Sequence, residues 1–245
     1  MKSYIIQTLY LALSLGCACA APSADVEAGR ISIREGYDAE LAKQVRKERP
    51  DARCFYLQDI GIEDLSRFCA DFPDTTELEI YSHQLTSLSP LARLRKLEKL
   101  SVLASALEGA LTIAPLPRLQ ELSLISAPLG EDLDWLAAMS ELRSLHLASV
   151  SDEELVDARV IARLPHLESL SLGPCTLTHA AALADCKSLT TVTISGNAGL
   201  KSLAPLKQLP KLKLLILEEG AFKSSELKGF PADVKVEVME AEPSY

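Results

Sequence analysis

The pattern apolar-x-apolar returns seven times along the chain: Leu78-Glu-Ile80, Leu100-Ser-Val102, Leu122-Ser-Leu124, Leu145-His-Leu147, Leu170-Ser-Leu172, Val192-Thr-Ile194 and Leu215-Ile-Leu217. Successive copies lie 22, 22, 23, 25, 22 and 23 residues apart. Ahead of the last six copies, further anchors fall at steps of three: Leu94 and Leu97, Leu116 and Leu119, Met139 and Leu142, Leu164 and Leu167, Cys186 and Leu189, Leu209 and Leu212. In the last copy this step runs unbroken through Leu200, Leu203, Leu206, Leu209, Leu212 and Leu215. An amphipathic helix repeats its apolar face every 3.6 residues and a half-buried strand every 2, so neither explains a step of three. A short strand followed by an extended or 3₁₀-like return path, dipping one leucine inward at each step, does.

Coils of this kind stack, and stacking is what makes them stable. Aligned strands become one parallel sheet, and the leucines between sheet and return path form a core that no single unit could build. Each fully buried Leu, Ile or Val contributes roughly 1.5 to 3 kcal/mol, which offsets the ordering of a unit only when neighbours cover both its faces. The two ends therefore need caps. Asp38 to Arg49, stopped by Pro50, predicts a helix, and Phe55 to Leu57 a strand after it; together they can cover the first coil. Val234-Lys-Val-Glu-Val238 alternates and predicts a last strand whose charged face discourages edge pairing.

The order of residues in these units resembles the leucine-rich repeat, L-x-x-L-x-L-x-x-N/C-x-L, which Leu167-Glu-Ser-Leu170-Ser-Leu172-Gly-Pro-Cys175-Thr-Leu177 matches position by position. The 22-residue length, with segments such as His83-Gln-Leu85-Thr-Ser-Leu88-Ser-Pro90-Leu91 and Leu203-Ala-Pro205-Leu206, is similar to the bacterial internalin-type subclass. The resemblance spans about residues 53 to 238. It implies an α/β leucine-rich repeat solenoid: a curved right-handed coil, a parallel sheet on the concave face and irregular or 3₁₀ segments on the convex face. It also implies that the concave sheet binds a protein or another macromolecule. The expected organisation is a secretory signal over 1–20, an N-terminal segment and helical cap over 21–52, and about seven repeats with a C-terminal cap over 53–245.

The chain departs from the family at the consensus asparagine, which would otherwise form a ladder bonding adjacent coils. The equivalent positions hold His83, Ser105, Ala127, Val150, Cys175, Asn197 and Gly220, so most turns must satisfy their backbone groups with water or neighbouring main chain. The fourth unit is 25 residues long and contains Ser151-Asp-Glu-Glu154, a capping box that predicts an α-helical turn or two in its return path.

Residues 1–20 carry Lys2, an apolar run from Tyr4 to Leu15 and Ala18-Cys-Ala20, the form of a secretory signal with a small-residue cleavage site. The run is short for a membrane span, so an exported protein is expected, periplasmic, secreted or attached to the cell envelope. An alternative is a lipoprotein signal with the anchor on Cys17, although Ser14 stands where such signals usually carry leucine. The formal charge of −9 disfavours nucleic acid, because phosphate binding draws on clustered Lys and Arg. Four cysteines lie beyond the signal. Cys54 and Cys69 can close a disulfide that staples the cap, or stay as two free thiols; Cys175 and Cys186 fall on opposite walls of a packed layer, beyond disulfide reach. The spacings do not suit zinc, and no metal or cofactor is expected.

Strand alternation fixes which side chains face outward. The middle row of the concave face is Glu79, Ser101, Ser123, His146, Ser171, Thr193 and Ile216. One flanking row is Glu77, Lys99, Glu121, Ser144, Ser169, Thr191 and Leu214; the other is Tyr81, Leu103, Ile125, Ala148, Gly173, Ser195 and Glu218. The candidate ligand-binding residues are Glu77, Glu79, Tyr81, Lys99, Ser101, Glu121, Ser123, His146, Ser171 and Thr193. A track of small hydroxyls suits broad recognition better than a hot spot rich in Trp, Tyr and Arg. Two rival readings remain open: a structural or self-assembling envelope protein, and a hydrolase using His146 with a nearby serine. The second lacks a nucleophile elbow, an orienting acid and an oxyanion hole, so a non-enzymatic protein is expected.

Overall fold

The computed structural model describes residues 23–27, 29–34, 36–58, 61, 63–107, 115–127, 133–149, 154–195 and 199–240. Strands β1 (Ser23–Glu27) and β2 (Arg30–Arg34) form an antiparallel hairpin. Helix α1 (Ala39–Glu48) leads to β3 (Cys54–Gln58), parallel to β2, and α2 (Ser66–Asp71) leads to β4 (Glu77–Tyr81). There follow β5 (Lys99–Leu103), β6 (Glu121–Ile125), β7 (Ser144–Ala148), β8 (Leu155–Asp157), α3 (Ala158–Ile161), β9 (Ser169–Leu172), β10 (Thr176–Thr178), β11 (Thr191–Ile194), β12 (Leu214–Glu218) and β13 (Lys235–Met239).

The main sheet runs β1-β2-β3-β4-β5-β6-β7-β9-β11-β12-β13, parallel throughout except at β1. Its strands neighbour one another in chain order because every coil closes beside the last. The return paths carry α2, α3 and 3₁₀ segments at Ser89–Arg93, Asp134–Ala138, Ala180–Asp185 and Leu206–Gln208, which stack into the opposite layer. This is a solenoid of parallel strands and 3₁₀ return paths, the architecture that the resemblance to the leucine-rich repeat implies. The step of three is explained as well: Leu200, Leu203, Leu206, Leu209, Leu212 and Leu215 are all buried, each turned inward at a successive point around one coil. The same holds for the anchors of the earlier units, Met139 and Cys186 included.

Helix α1 forms where the sequence predicts a helix. The Asp38 side chain accepts from the backbone N–H of Glu40 and Leu41 at 3.0 and 2.8 Å, Arg46 and Lys47 lie in the last turn, and Leu41, Ala42 and Val45 are buried. Beneath it, Phe55, Phe68 and Phe72 meet with ring centroids 4.6 to 5.4 Å apart, and Tyr37 stands edge-on to Phe68 at 5.7 Å. The Tyr37 hydroxyl donates to Asp71 Oδ2 at 2.8 Å, and Arg46 pairs with the same carboxylate, tying α1 to α2. The segment before residue 53 is more than a cap, because β2 already lies in the parallel sheet, with Ile31 beside Phe55. At the other end, the expected last strand is β13, beside β12.

Two expectations are corrected. Cys54 and Cys69 are not bonded: Cys54 alternates outward with Tyr56 on β3, while Cys69 is buried in the core on α2. Cys175 and Cys186 form no disulfide and are buried, as expected. The turn positions taken as ladder equivalents do not all face inward. His83, Ser105 and Gly220 are exposed, and the residues before the first two, Ser82 and Ala104, are buried instead, as is Ser149; among the described positions only Ala127 and Cys175 turn in at the expected place. Val150 and Asn197 lie outside the described residues. Main chain does carry much of the bonding, with Ser82 N–H donating to Leu103 O at 3.0 Å and Ser149 N–H to Pro174 O at 3.1 Å, and Ser82 Oγ accepts from Gln84 and Leu85 at 3.2 Å. In the long fourth unit, most of the predicted capping box lies outside the described residues. The helix there is the single turn α3, capped by Asp157 and preceded by β8, which pairs with β10 in a second, two-stranded parallel sheet.

Candidate binding surface

The strand register assembles the predicted middle row rung by rung: Glu79 beside Ser101, Ser101 beside Ser123, Ser123 beside His146, His146 beside Ser171, Ser171 beside Thr193 and Thr193 beside Ile216. The flanking rows form in the same way, with Glu77, Lys99 and Glu121 adjacent on one side and Tyr81, Leu103 and Ile125 on the other. All ten candidate residues thus share one face, and each is half-buried or exposed.

The face is not uniform along its length. At its N-terminal end Arg30, on β2, reaches over β3 to both acids of β4, pairing with Glu77 and, at 2.5 Å, with Glu79 Oε2. Burial alone would pull the Arg30 pKa down, but the two carboxylates outweigh it and hold it above the ordinary value. A shallow depression opens here, lined among others by Arg34, Cys54 and Tyr56. One rung further, Lys99 Nζ meets Glu121 Oε1 at 2.7 Å. On the far flank the Tyr81 hydroxyl lies 2.9 Å from His83 Nε2, and His83 Nδ1 lies 3.3 Å from Ser105 Oγ, so Tyr81 is braced by the turn after its own strand. Tyr81, Leu103 and Ile125, all half-buried, make a short apolar strip beside the polar track.

The centre is plainer. His146 stands between Ser123 and Ser171, half-buried, and burial holds its pKa below the ordinary 6.5, so the ring is neutral near pH 7. No carboxylate faces it from β6 or β9, where its register partners are both serines. The backbone N–H groups around it are directed along the sheet into the strand ladder, not out of the face.

Sequence reasoning stopped two rungs short at the N-terminal end. Ser32 and Tyr56 continue the middle row, and Arg30 reaches the acids of β4 from the first strand of the parallel sheet. The signal was present, since Ile31-Ser-Ile33 and Phe55-Tyr-Leu57 repeat the apolar-x-apolar pattern at spacings of 24 and 23 residues before Leu78. At the C-terminal end Glu237 extends the row beyond Ile216.

No protein-family model matches the chain, and no curated protein matches it. Similar solved structures include internalin C2 of Listeria monocytogenes, 20% identical with a TM-score of 0.48 over 86% of this chain and 80% of that one. Internalin F of the same organism is 20% identical with a TM-score of 0.48, over 80% of this chain and 64% of that one. A chain of the Drosophila Toll–Spätzle complex is 13% identical with a TM-score of 0.44, over 76% of this chain and 29% of that one.

Proposed function

We propose that the protein is an exported, non-enzymatic binding module that recognises a protein or another macromolecule across its concave sheet. The observation that carries this reading is the unbroken register of the outward rows. Adjacent strands lie about 4.8 Å apart, so the rows present a long, nearly flat array of side chains suited to an extended macromolecular surface, not a cleft that encloses a small molecule. Tyr56, Tyr81 and the Arg30–Glu77–Glu79 cluster supply the anchoring end, because Tyr and Arg carry most of the energy in protein recognition. The hydroxyl track beyond them supplies adaptable hydrogen bonds.

Three further points support the reading. Residues 1–20 have the form of an export signal, with lipidation at Cys17 as its alternative, and among the described residues no helix is long and apolar enough to cross a membrane. The acidic balance argues against nucleic acid. A Ser-His hydrolase would need an acid to orient His146 and donors aimed out of the face, and the serines beside it come without either. The reading calls for no cofactor.

The test is retention of partners from the native envelope on immobilised protein, compared with the triple variant S101R/H146R/S171R. Bulky cations along the middle row should abolish retention while the circular dichroism spectrum stays unchanged. Equal recovery of every partner would remove the concave surface from consideration.

A further inference from the structure

Among the described residues the main sheet ends at β13, and no described strand pairs with its outer edge. Val238 lies in the row that faces the core, yet it is 52% exposed, whereas its neighbour Leu217 in the preceding coil is 1% exposed. Met239, in a concave row beside Glu218, is exposed as well. The backbone shows the same incompleteness. Lys235 N–H donates to Lys213 O, and Met239 O accepts from Glu219 N–H, so residues 235, 237 and 239 spend their backbone groups on the β12 side. Alternation then directs the N–H and C=O of Val236 and Val238 away from the sheet, where a further strand would pair.

We infer that β13 is a self-association edge, at which two copies of this chain pair antiparallel about a two-fold axis with Lys235 of each facing Glu237 of the other. The side chains select that register. Lys235 and Glu237 already pair within one chain; with Val236 opposite its own copy this pair is extended across the axis into two further Lys–Glu contacts on the concave face, and Val238 of each copy covers Val234 of the other on the core side. Shifting by one rung to place Glu237 opposite itself sets like charges face to face, which is unfavourable. The chosen register also suits the backbone. The two Val236 residues exchange both hydrogen bonds, and each Val238 N–H donates to the opposite Val234 carbonyl. Val234 N–H is already used within its own chain, on Pro231 O at 3.0 Å. The charged face of β13 therefore opposes pairing in one register and favours it in the next. A two-fold pairing closes after two copies and leaves both concave faces on the same side.

Sedimentation velocity across a dilution series tests this with purified protein. The wild type should pass from monomer to dimer and no further. Lys235→Glu, at an exposed position, should weaken the dimer by about tenfold or more, because two attractive contacts become repulsive. The double variant K235E/E237K should restore it. Val236→Cys should give a disulfide-linked dimer on oxidation, since the Cα atoms of a hydrogen-bonded antiparallel pair stand about 5.5 Å apart. A monomer at every concentration overturns the inference. So does a dimer indifferent to K235E, or growth into larger polymers. Partner binding on the concave rows is read separately and survives any of these results.

Discussion

At the scale of single residues, the fold is most sensitive where two strands come too close for a side chain. A Cβ placed on Gly173 would lie 2.6 Å from Ala148 Cβ and 3.1 Å from its Cα, so one flanking row of the concave face narrows there to Ala beside Gly. Gly173→Ala should cost about 1 to 3 kcal/mol through overpacking, read as a lower urea midpoint with an unchanged slope. Adding Ala148→Gly should recover part of the loss; no recovery would place the strain elsewhere. The cysteines give a second test. Burial pushes the Cys69 thiol up to about 12 and Cys186 up to about 11, which leaves little thiolate at neutral pH, while Cys54 is half-exposed on the concave side. Alkylation of the native protein should therefore label Cys54 first, and Cys69, Cys175 and Cys186 only in denaturant; a Cys54–Cys69 disulfide in the mass spectrum would contradict the structure. That pairing was the one reading the cysteine spacing left undecided, because count and separation carry no information on side-chain direction. Strand alternation does carry it, and it places Cys54 outside and Cys69 within.

At the scale of elements, the strands were legible and the convex layer largely was not. A period of two against one core has a single solution, so the outward rows follow from the sequence without error once the repeat is aligned. Three-residue strands such as β8 and β10 are too short to show a period, and the inward turn residue slips by one position between units, from Ser82 and Ala104 to Ala127. Asp157 marks the place where these hidden elements meet. It ends β8, caps α3 by accepting from Arg159 N–H at 2.9 Å, pairs with the Arg159 guanidinium at 2.6 Å, and lies 3.4 Å from Nδ1 of His179, whose φ of 49° is left-handed. The Arg159 hydrogen bond chiefly lowers its pKa from 3.8 to about 2. A carboxylate depressed in the folded state contributes stability above its ordinary pKa and loses it as pH falls toward the folded value. Asp157→Asn keeps the cap but removes the charge, so wild type and variant should differ near neutral pH by about 1 kcal/mol or less, given the exposure of the pair. The difference should vanish as pH drops from about 4 to about 2. Denaturation curves that stay parallel across that range would show that the charge contributes nothing.

At the scale of the whole molecule, the two ends of the solenoid are finished differently. All five phenylalanines lie near the ends, Phe55, Phe68 and Phe72 at the front and Phe222 and Phe230 at the back, while the repeats between use leucine, the side chain that fits an unchanging layer. At the front the rings are buried and interlocked beneath α1; at the back Phe222 and Phe230 are only partly covered, with Lys207 Nζ 5.4 Å from the Phe230 ring. Coils in such an array contact only their neighbours, so opening proceeds from whichever end is less covered. Under conditions where the chain is monomeric, amide exchange should reach β13 and β12 first and move forward, with β3 to β9 exchanging last. Removing the front seal should reverse that order. Phe68→Ala deletes the ring that touches Tyr37, Phe55 and Phe72, should cost about 3 to 5 kcal/mol, and should make β2 and β3 the first strands to exchange. If all strands instead exchange together in both proteins, the solenoid opens as one cooperative unit, and the difference between its ends has no bearing on how it comes apart.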